Sequence, residues 1–305
     1  MVGIPINKIN MNEEFTSSLK SVEIENKLDL YFYRPIGYQI ARVLKHTFIT
    51  PNMVTILSIF IGAGTGFMFY FDNLIFNLIG IILLVTANIL DCVDGQLARL
   101  TGIKSKIGRI LDGIAGNIWF FMIYICLALR LTHEFGTAWF FIPAVLSGLS
   151  HLIQANITDY YKTLHLYIES KDKGSEFQNL EQIRAQQQKM KGLKKTVFSL
   201  YLIYTGVQEK MTPVLQVLLV RLQTRYGDDI PETIRLNFRR ESCRLMKQCI
   251  DYMTFNGRTV VLFLVVLSGE VWIYFIYEIV FLNIILFLAI KMHEKMCSKF
   301  VNEIS

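Results

Sequence analysis

Proline and glycine are sparse: 6 and 19 in 305 residues, without a period. Collagen-like and Pro/Gly-rich fibrous classes are thereby excluded. Charge is scarce too, with Asp, Glu, Lys and Arg at 18% against 52% hydrophobic residues, a balance that excludes intrinsic disorder. Five cysteines, Cys92, Cys126, Cys243, Cys249 and Cys297, are an odd number scattered through apolar or basic segments. They read as reduced fillers, neither disulfide staples nor zinc ligands. His46, His133, His165 and His293 show no ligand spacing such as HExxH, and neither GxSxG nor a P-loop occurs. The first thirty residues carry Lys8, Glu13, Glu14, Lys20, Glu23, Glu25 and Lys27 with no apolar core of signal-peptide length, so a cleaved targeting segment is not expected.

What is abundant is long apolar sequence, and the mean hydropathy is +0.39. A helix needs about 20 residues to cross the hydrocarbon, and apolar runs of roughly that length occupy 52–70, 75–98, 110–129, 137–158, 257–269 and 271–290. The expected fold class is all-α: a polytopic bundle of six transmembrane helices. The fifth run is the weakest, opening on Arg258 and ending at Gly269-Glu270; it is read as borrowing length from Tyr252 to Phe255 and turning tightly into the sixth. Trp139 and Trp272 near span ends fit an aromatic belt.

The net charge of +6 raises nucleic acid as a partner, but the basic residues track the ends of the spans, so a membrane surface is the expected anionic partner and nucleic acid is not. Of 31 Lys and Arg, Arg130 alone falls on the opposite side of the membrane. Both termini are therefore expected in the cytoplasm. Residues 1–49 form a cytoplasmic N-terminus in which Ile36, Ile40, Val43 and Leu44 recur at helical spacing, the pattern of an interfacial helix. Residues 50–160 hold the first four spans, 161–250 a cytoplasmic helical insert rich in helix formers, and 251–305 the last two spans and a tail. The insert's run Lys189, Lys191, Lys194, Lys195 is either a solvated helix face or a grip on anionic headgroups worth about 1 kcal/mol per charge.

The chemistry sits where spans two and three meet the cytoplasm. Span two ends in Asp91-Cys92-Val93-Asp94-Gly95-Gln96-Leu97-Ala98-Arg99, and span three begins Gly108-Arg109-Ile110-Leu111-Asp112. Asp91 and Asp94 share a helix face by their i, i+3 spacing, and Asp112 returns from the neighbouring helix. An Asp near a membrane helix centre costs about 2.5–3.5 kcal/mol on insertion scales, less near the end. Three together call for a bound cation, and hard oxygen ligands suit Mg²⁺ or Mn²⁺ with substrate phosphate oxygens. Gly95, Ala98 and Gly108 lack bulk and permit close approach; Arg99 and Lys104 are placed to meet phosphate charge.

The string Asp91-x2-Asp94-Gly95-x2-Ala98-Arg99-x8-Gly108-x3-Asp112 resembles the signature of the CDP-alcohol phosphotransferase family, integral membrane enzymes of phospholipid synthesis. Thr50-Pro51-Asn52-Met53-Val54-Thr55 at the mouth of span one is similar to that family as well. The resemblance covers residues 28–160, and the remainder only by span count. It implies a homodimeric enzyme in which Asp91, Asp94 and Asp112 hold divalent cations on the CDP pyrophosphate while Gly95, Ala98 and Arg99 line the nucleotide pocket. A hydroxyl acceptor would then displace CMP from the CDP-activated donor.

One departure matters. The family pattern continues with a fourth Asp four residues after the third, assigned as general base, and here that position is Gly116. Asn117 as an amide cannot take up the proton and at best orients the acceptor. His151 and Asp159, near the inner end of span four, are the candidate catalytic substitutes; alternatively, a metal-bound acceptor hydroxyl needs no dedicated base. Two other readings stay open. The chain is a catalytically degenerate CDP-alcohol-binding membrane protein, or its carboxylates serve an ion-coupled transporter, against which their position toward one side of the membrane weighs.

Overall fold

The first long helix starts for a local reason. Thr50 adopts an extended conformation and its Oγ1 accepts from the Met53 amide at 3.4 Å, with Pro51 at the first helical position, where a missing N–H costs nothing. In the computed structural model, which describes residues 13–19, 21, 25–103, 106–169, 180–188, 190–227 and 229–304, no strand occurs among these residues. The helices in chain order are α1 (Glu13–Ser17), α2 (Arg34–Leu44), α3 (Pro51–Tyr70), α4 (Leu74–Thr101), α5 (Lys106–Phe135), α6 (Phe141–Glu169), α7 (Leu180–Gln188), α8 (Leu193–Met211), α9 (Pro213–Tyr226), α10 (Glu232–Leu245), α11 (Asp251–Met253), α12 (Phe255–Ser268), α13 (Trp272–Ile276) and α14 (Leu282–Ile304). π-Helical turns at Asp29–Tyr33, Met246–Ile250 and Tyr277–Phe281 lead into α2, α11 and α14.

Among the described residues, six helical runs are long and apolar enough to cross a membrane: Pro51–Tyr70, Leu74–Thr101, Leu111–Phe135, Ala138–Ile168, Glu232–Ser268 and Trp272–Ile304. The chain is a multi-pass integral membrane protein of the all-α class. Phe60, Phe67, Ile75 and Ile82 are exposed on these runs, as side chains in contact with lipid would be, and Trp139 and Trp272 are exposed at helix starts. The fifth run is longer than its apolar core, extending back to Glu232. It is interrupted at Thr254, whose backbone is extended; Gly257 admits the Tyr252 carbonyl, which a Cβ would approach to 2.3 Å.

The chain forms two compact units. In the first (residues 1–148 and 260–275), α3 packs against both α4 and α5, and the contact is made by removing side chains. A Cβ on Gly62 would lie 2.2 Å from the Trp119 ring, and one on Gly66 would lie 2.7 Å from the Met122 backbone, so α3 and α5 approach as closely as small residues allow. The turn between α3 and α4 is capped by Asn73, whose Oδ1 accepts from Ile75 N at 2.9 Å. Arg130, buried on α5, closes that end by an ion pair with Asp72 and a bond to the Phe69 carbonyl. At the other end α4 stops at Gly102, in the left-handed conformation at φ 73°. Ala41 of α2, Val54 of α3, and Val93 and Leu97 of α4 form a buried cluster there.

In the second unit (149–259 and 276–305) a polar network lies inside apolar helices. Arg258 donates to Glu278, to Gln154 Oε1 at 2.7 Å and to the Met253 carbonyl at 3.0 Å. Gln154 donates to Asn283 Oδ1 at 3.0 Å, and Asn283 to Ser150 Oγ at 2.9 Å. Arg258 and Glu278 are 1% and 0% exposed, which is why a basic residue can sit in the fifth run. Glu294 of α14 accepts from Val214 N at 2.7 Å and Leu215 N at 3.3 Å, capping the start of α9. Of the insert's basic run, Lys189 lies outside the described residues, while Lys191 and Lys195 are exposed.

Truncating one partner of the buried pair leaves a bare charge. Glu278→Leu is expected to cost about 3–5 kcal/mol, and adding Arg258→Met to recover most of it. Thermal melting of the purified single and double variants in one detergent checks this.

Candidate functional site

The motif residues converge because α4 ends at Thr101, α5 begins at Lys106, and both helices pack on α3. Asp91 and Asp94 lie on the last turns of α4, and Asp112 on the second turn of α5. One carboxylate oxygen from each of the three falls within 4.8 Å of the others. Asp94 is buried, Asp91 half-buried and Asp112 exposed, so the trio forms a ledge open on the α5 side. Carboxylates this close repel strongly wherever water is partly excluded. Compensating positive charge is required, and an oxygen-only donor set suits a hard divalent cation.

The start of α3 supplies a contact that the sequence pattern did not assign. Thr55 Oγ1 donates to Asp94 Oδ2 at 2.5 Å, and Thr55 is itself buried. The Thr50–Thr55 string thus acts through geometry: its cap and proline fix where α3 begins, and one turn later Thr55 holds Asp94 in place. A signal was present in the string, but which of its residues reached the carboxylates was not.

Arg99 curls back over Gly95, whose missing side chain makes the room: a Cβ there would stand 3.2 Å from Arg99 Nη2 and 3.5 Å from Nη1. Arg99 Nε donates to the Ser18 carbonyl. Ala98 and Gly108 are half-buried; Lys104 lies outside the described residues. Gln96, fully buried, donates to the Arg34 carbonyl at 3.1 Å and to Ser18 Oγ at 3.3 Å, joining α4 to both N-terminal helices. Ser18 and Leu19 follow α1, which is tied to α2. Glu14 accepts from Lys45 Nζ at 2.7 Å and from the Tyr38 hydroxyl at 2.8 Å, and these bonds hold its carboxyl below the usual carboxylate range.

Around Gly116 there is space. A Cβ at Gly113 or Gly116 would meet nothing within 4 Å. Asn117 donates from Nδ2 to the Gly113 carbonyl at 3.2 Å, and its Oδ1 is buried without a partner. His151, buried, and Asp159, exposed, belong to the second unit, and the three-carboxylate group includes neither.

A second cluster of potential ligands lies on α14. His293, Glu294 and Cys297 bring ligand atoms within 4.8 Å of one another on one stretch of α14, an i, i+1, i+4 spacing unlike HExxH. Each group already has an internal role: Glu294 caps α9, Cys297 Sγ lies 3.5 Å from His293 Nδ1, and the His293 ring stacks on Tyr161 at 3.9 Å. Packing accounts for the cluster.

The Thr55 contact makes a measurable claim. Thr55→Val is expected to weaken Mn²⁺ binding by about tenfold or more, the usual effect of removing a partner that orients a ligating group. Calorimetric titration of the purified protein checks this.

Residues 48–220 match the CDP-alcohol phosphatidyltransferase family. Among curated proteins the chain is similar to archaetidylinositol phosphate synthase of Pyrococcus horikoshii, 46% identical over 74 residues, 24% of this chain and 38% of that protein. It is also similar to CDP-diacylglycerol–glycerol-3-phosphate 3-phosphatidyltransferase of Cereibacter sphaeroides, 32% identical over 97 residues, 32% of this chain and 42% of that one. The chain thus spans less than half the length of each of these relatives. The family match runs over more than half of the chain and takes in Thr55, all three aspartates, Gly95, Ala98 and Arg99: the chain belongs to the CDP-alcohol phosphatidyltransferase family.

Proposed function

We propose that this protein transfers a phosphoalcohol or phosphatidyl group from a CDP-activated donor to a hydroxyl acceptor, releasing CMP, in the synthesis of phospholipid or sphingolipid headgroups. The observation that carries this reading is the convergence of Asp91, Asp94 and Asp112 within 4.8 Å at the ends of two adjacent helices, in a chain of this family. These three residues would hold Mg²⁺ or Mn²⁺. When bound, the metal neutralises diphosphate charge and polarises the scissile bond.

The protein's own groups do the rest. Thr55 keeps Asp94 in position, Gly95 leaves room for the Arg99 guanidinium, Ala98 and Gly108 spare bulk on the nucleotide side, and Arg99 offers a planar fork to phosphate oxygens; Lys104, outside the described residues, is a further candidate for phosphate by its place in the motif. The acceptor oxygen bonds to the phosphorus that carries the donor's alcohol or lipid as the bond from that phosphorus to the CMP oxygen breaks. The hydroxyl proton must leave as this happens. With Gly116 at the usual base position, the remaining groups for that task are Asp112, His151 or Asp159, or no dedicated base at all. The names of the two relatives make phosphorylated polyols the first acceptors to try. The reading places the site at the cytoplasmic face of the membrane and the chain in a homodimer.

The direct test is CMP release by purified protein from CDP-diacylglycerol, with glycerol 3-phosphate and then inositol phosphate as acceptor. Chelation should stop it, and Asp94→Ala should lower it by on the order of 10²-fold or more, since it removes a ligating carboxylate. No CMP with any acceptor, together with metal-dependent binding of CDP-diacylglycerol, would favour the degenerate binder that the Gly116 departure suggests.

Gly116 lies in a helix with open space before its Cα, so Gly116→Asp should fold normally. It restores a carboxylate one helical turn from Asp112. If proton removal limits the rate, kcat should rise by about 10²-fold, the lower end of what a positioned base contributes; an unchanged kcat means that another group or none performs the step.

A further inference from the structure

The N-terminal segment does something that its sequence does not announce. Phe15 and Leu19 are buried beside Tyr38, with the Phe15 and Tyr38 rings edge to face at 5.3 Å. Glu14 is tied to Lys45 and Tyr38, and Ser18, fully buried, accepts from Gln96. The result is that a main-chain carbonyl, that of Ser18, is held against Arg99.

The way Arg99 is held distinguishes a working guanidinium from an anchoring one. Its Nε is engaged by the Ser18 carbonyl, while Nη1 and Nη2 make no hydrogen bond to any described residue. The contact with Gly95 and the Ser18 bond fix the plane of the fork from two sides, leaving both terminal amino groups for an anion. A neutral carbonyl suits this purpose because it orients the group without cancelling its charge, as a carboxylate would.

We propose that residues Glu14–Leu19 form a positioning strap for the nucleotide site, setting the Arg99 fork for the diphosphate of a CDP-activated ligand. This rests on the reading that the aspartate site takes such a ligand. Preorganisation of this kind contributes affinity by removing the cost of ordering a long side chain at the moment of binding.

The test is a double-mutant cycle on the full-length protein, with CMP and Mg²⁺ as the calorimetric probe and CDP-diacylglycerol for steady-state kinetics. Phe15→Ala/Leu19→Ala loosens the strap, and Arg99→Ala removes what it positions. With Arg99 present, loosening should weaken CMP binding by about tenfold and raise the donor KM by a similar factor; with Arg99→Ala the same loosening should change either by less than about twofold, because the two act as one unit. Equal losses in both backgrounds, or no loss in either, would overturn the strap's role. Should the double alanine variant not fold, as its melting profile would reveal, Tyr38→Phe removes one tie to Glu14 and must show the same ordering at smaller amplitude. A wild-type protein that binds no CMP with metal defeats the nucleotide reading itself, a result separate from the cycle's pattern.

Discussion

The mutual repulsion of Asp91, Asp94 and Asp112 is the constraint around which the first unit is arranged. Three carboxylates cannot sit within a few ångströms at the end of two membrane helices unless the helices are held and the charge is offset. Helix α3 supplies the holding. Its glycines let it press on α5 at Trp119 and Met122, and its Thr55 takes Asp94 from the other side. The stability of the packing and the chemistry of the site are therefore one problem. A packing that relaxed by an ångström would relieve the repulsion and part the three carboxylates together.

The second unit shows what polar groups look like when they serve the fold alone. Arg258, Glu278, Gln154 and Asn283 spend their hydrogen-bonding capacity largely on each other. Glu294 satisfies the start of a helix that would otherwise leave amides unpaired. Arg258 meets a full opposite charge in Glu278, whereas the side chain that bonds Asp94 is the neutral hydroxyl of Thr55. The clustering of three like charges, more than the mere presence of charge in a membrane helix, separates the site from the scaffold.

Much of this was legible in the sequence, and the parts that were not share a cause. Long apolar runs are read reliably because the bilayer fixes their length, and the six spans appear where expected, except that the fifth extends back to Glu232. There a charge at Arg258 masked the continuity, and its partner Glu278 is twenty residues away on the next run, beyond any local pattern. The carboxylate trio was legible because two of its members share a helix face and the third follows a short connection. Thr55 touching Asp94, Ser18 touching Arg99 and the His293, Glu294 and Cys297 cluster were not. The first two depend on how separate elements pack; the third has a spacing with no familiar ligand pattern. Periodicity reports which face a residue occupies, not which neighbour arrives there.

Arginine makes the same point within one residue type. Arg99, Arg130 and Arg258 all lie near the ends of apolar runs, and the positive-inside rule alone would treat Arg99 and Arg258 alike. Their bonds divide them. Arg258 engages Nε, Nη1 and Nη2 at once, and Arg130 spends both terminal amino groups on the turn it closes. Arg99 alone of the three is held by Nε with its fork unspent. An arginine fixed at its stem near three clustered carboxylates is what the proposed ligand, a phosphate ester carrying its own metal, would require of the site.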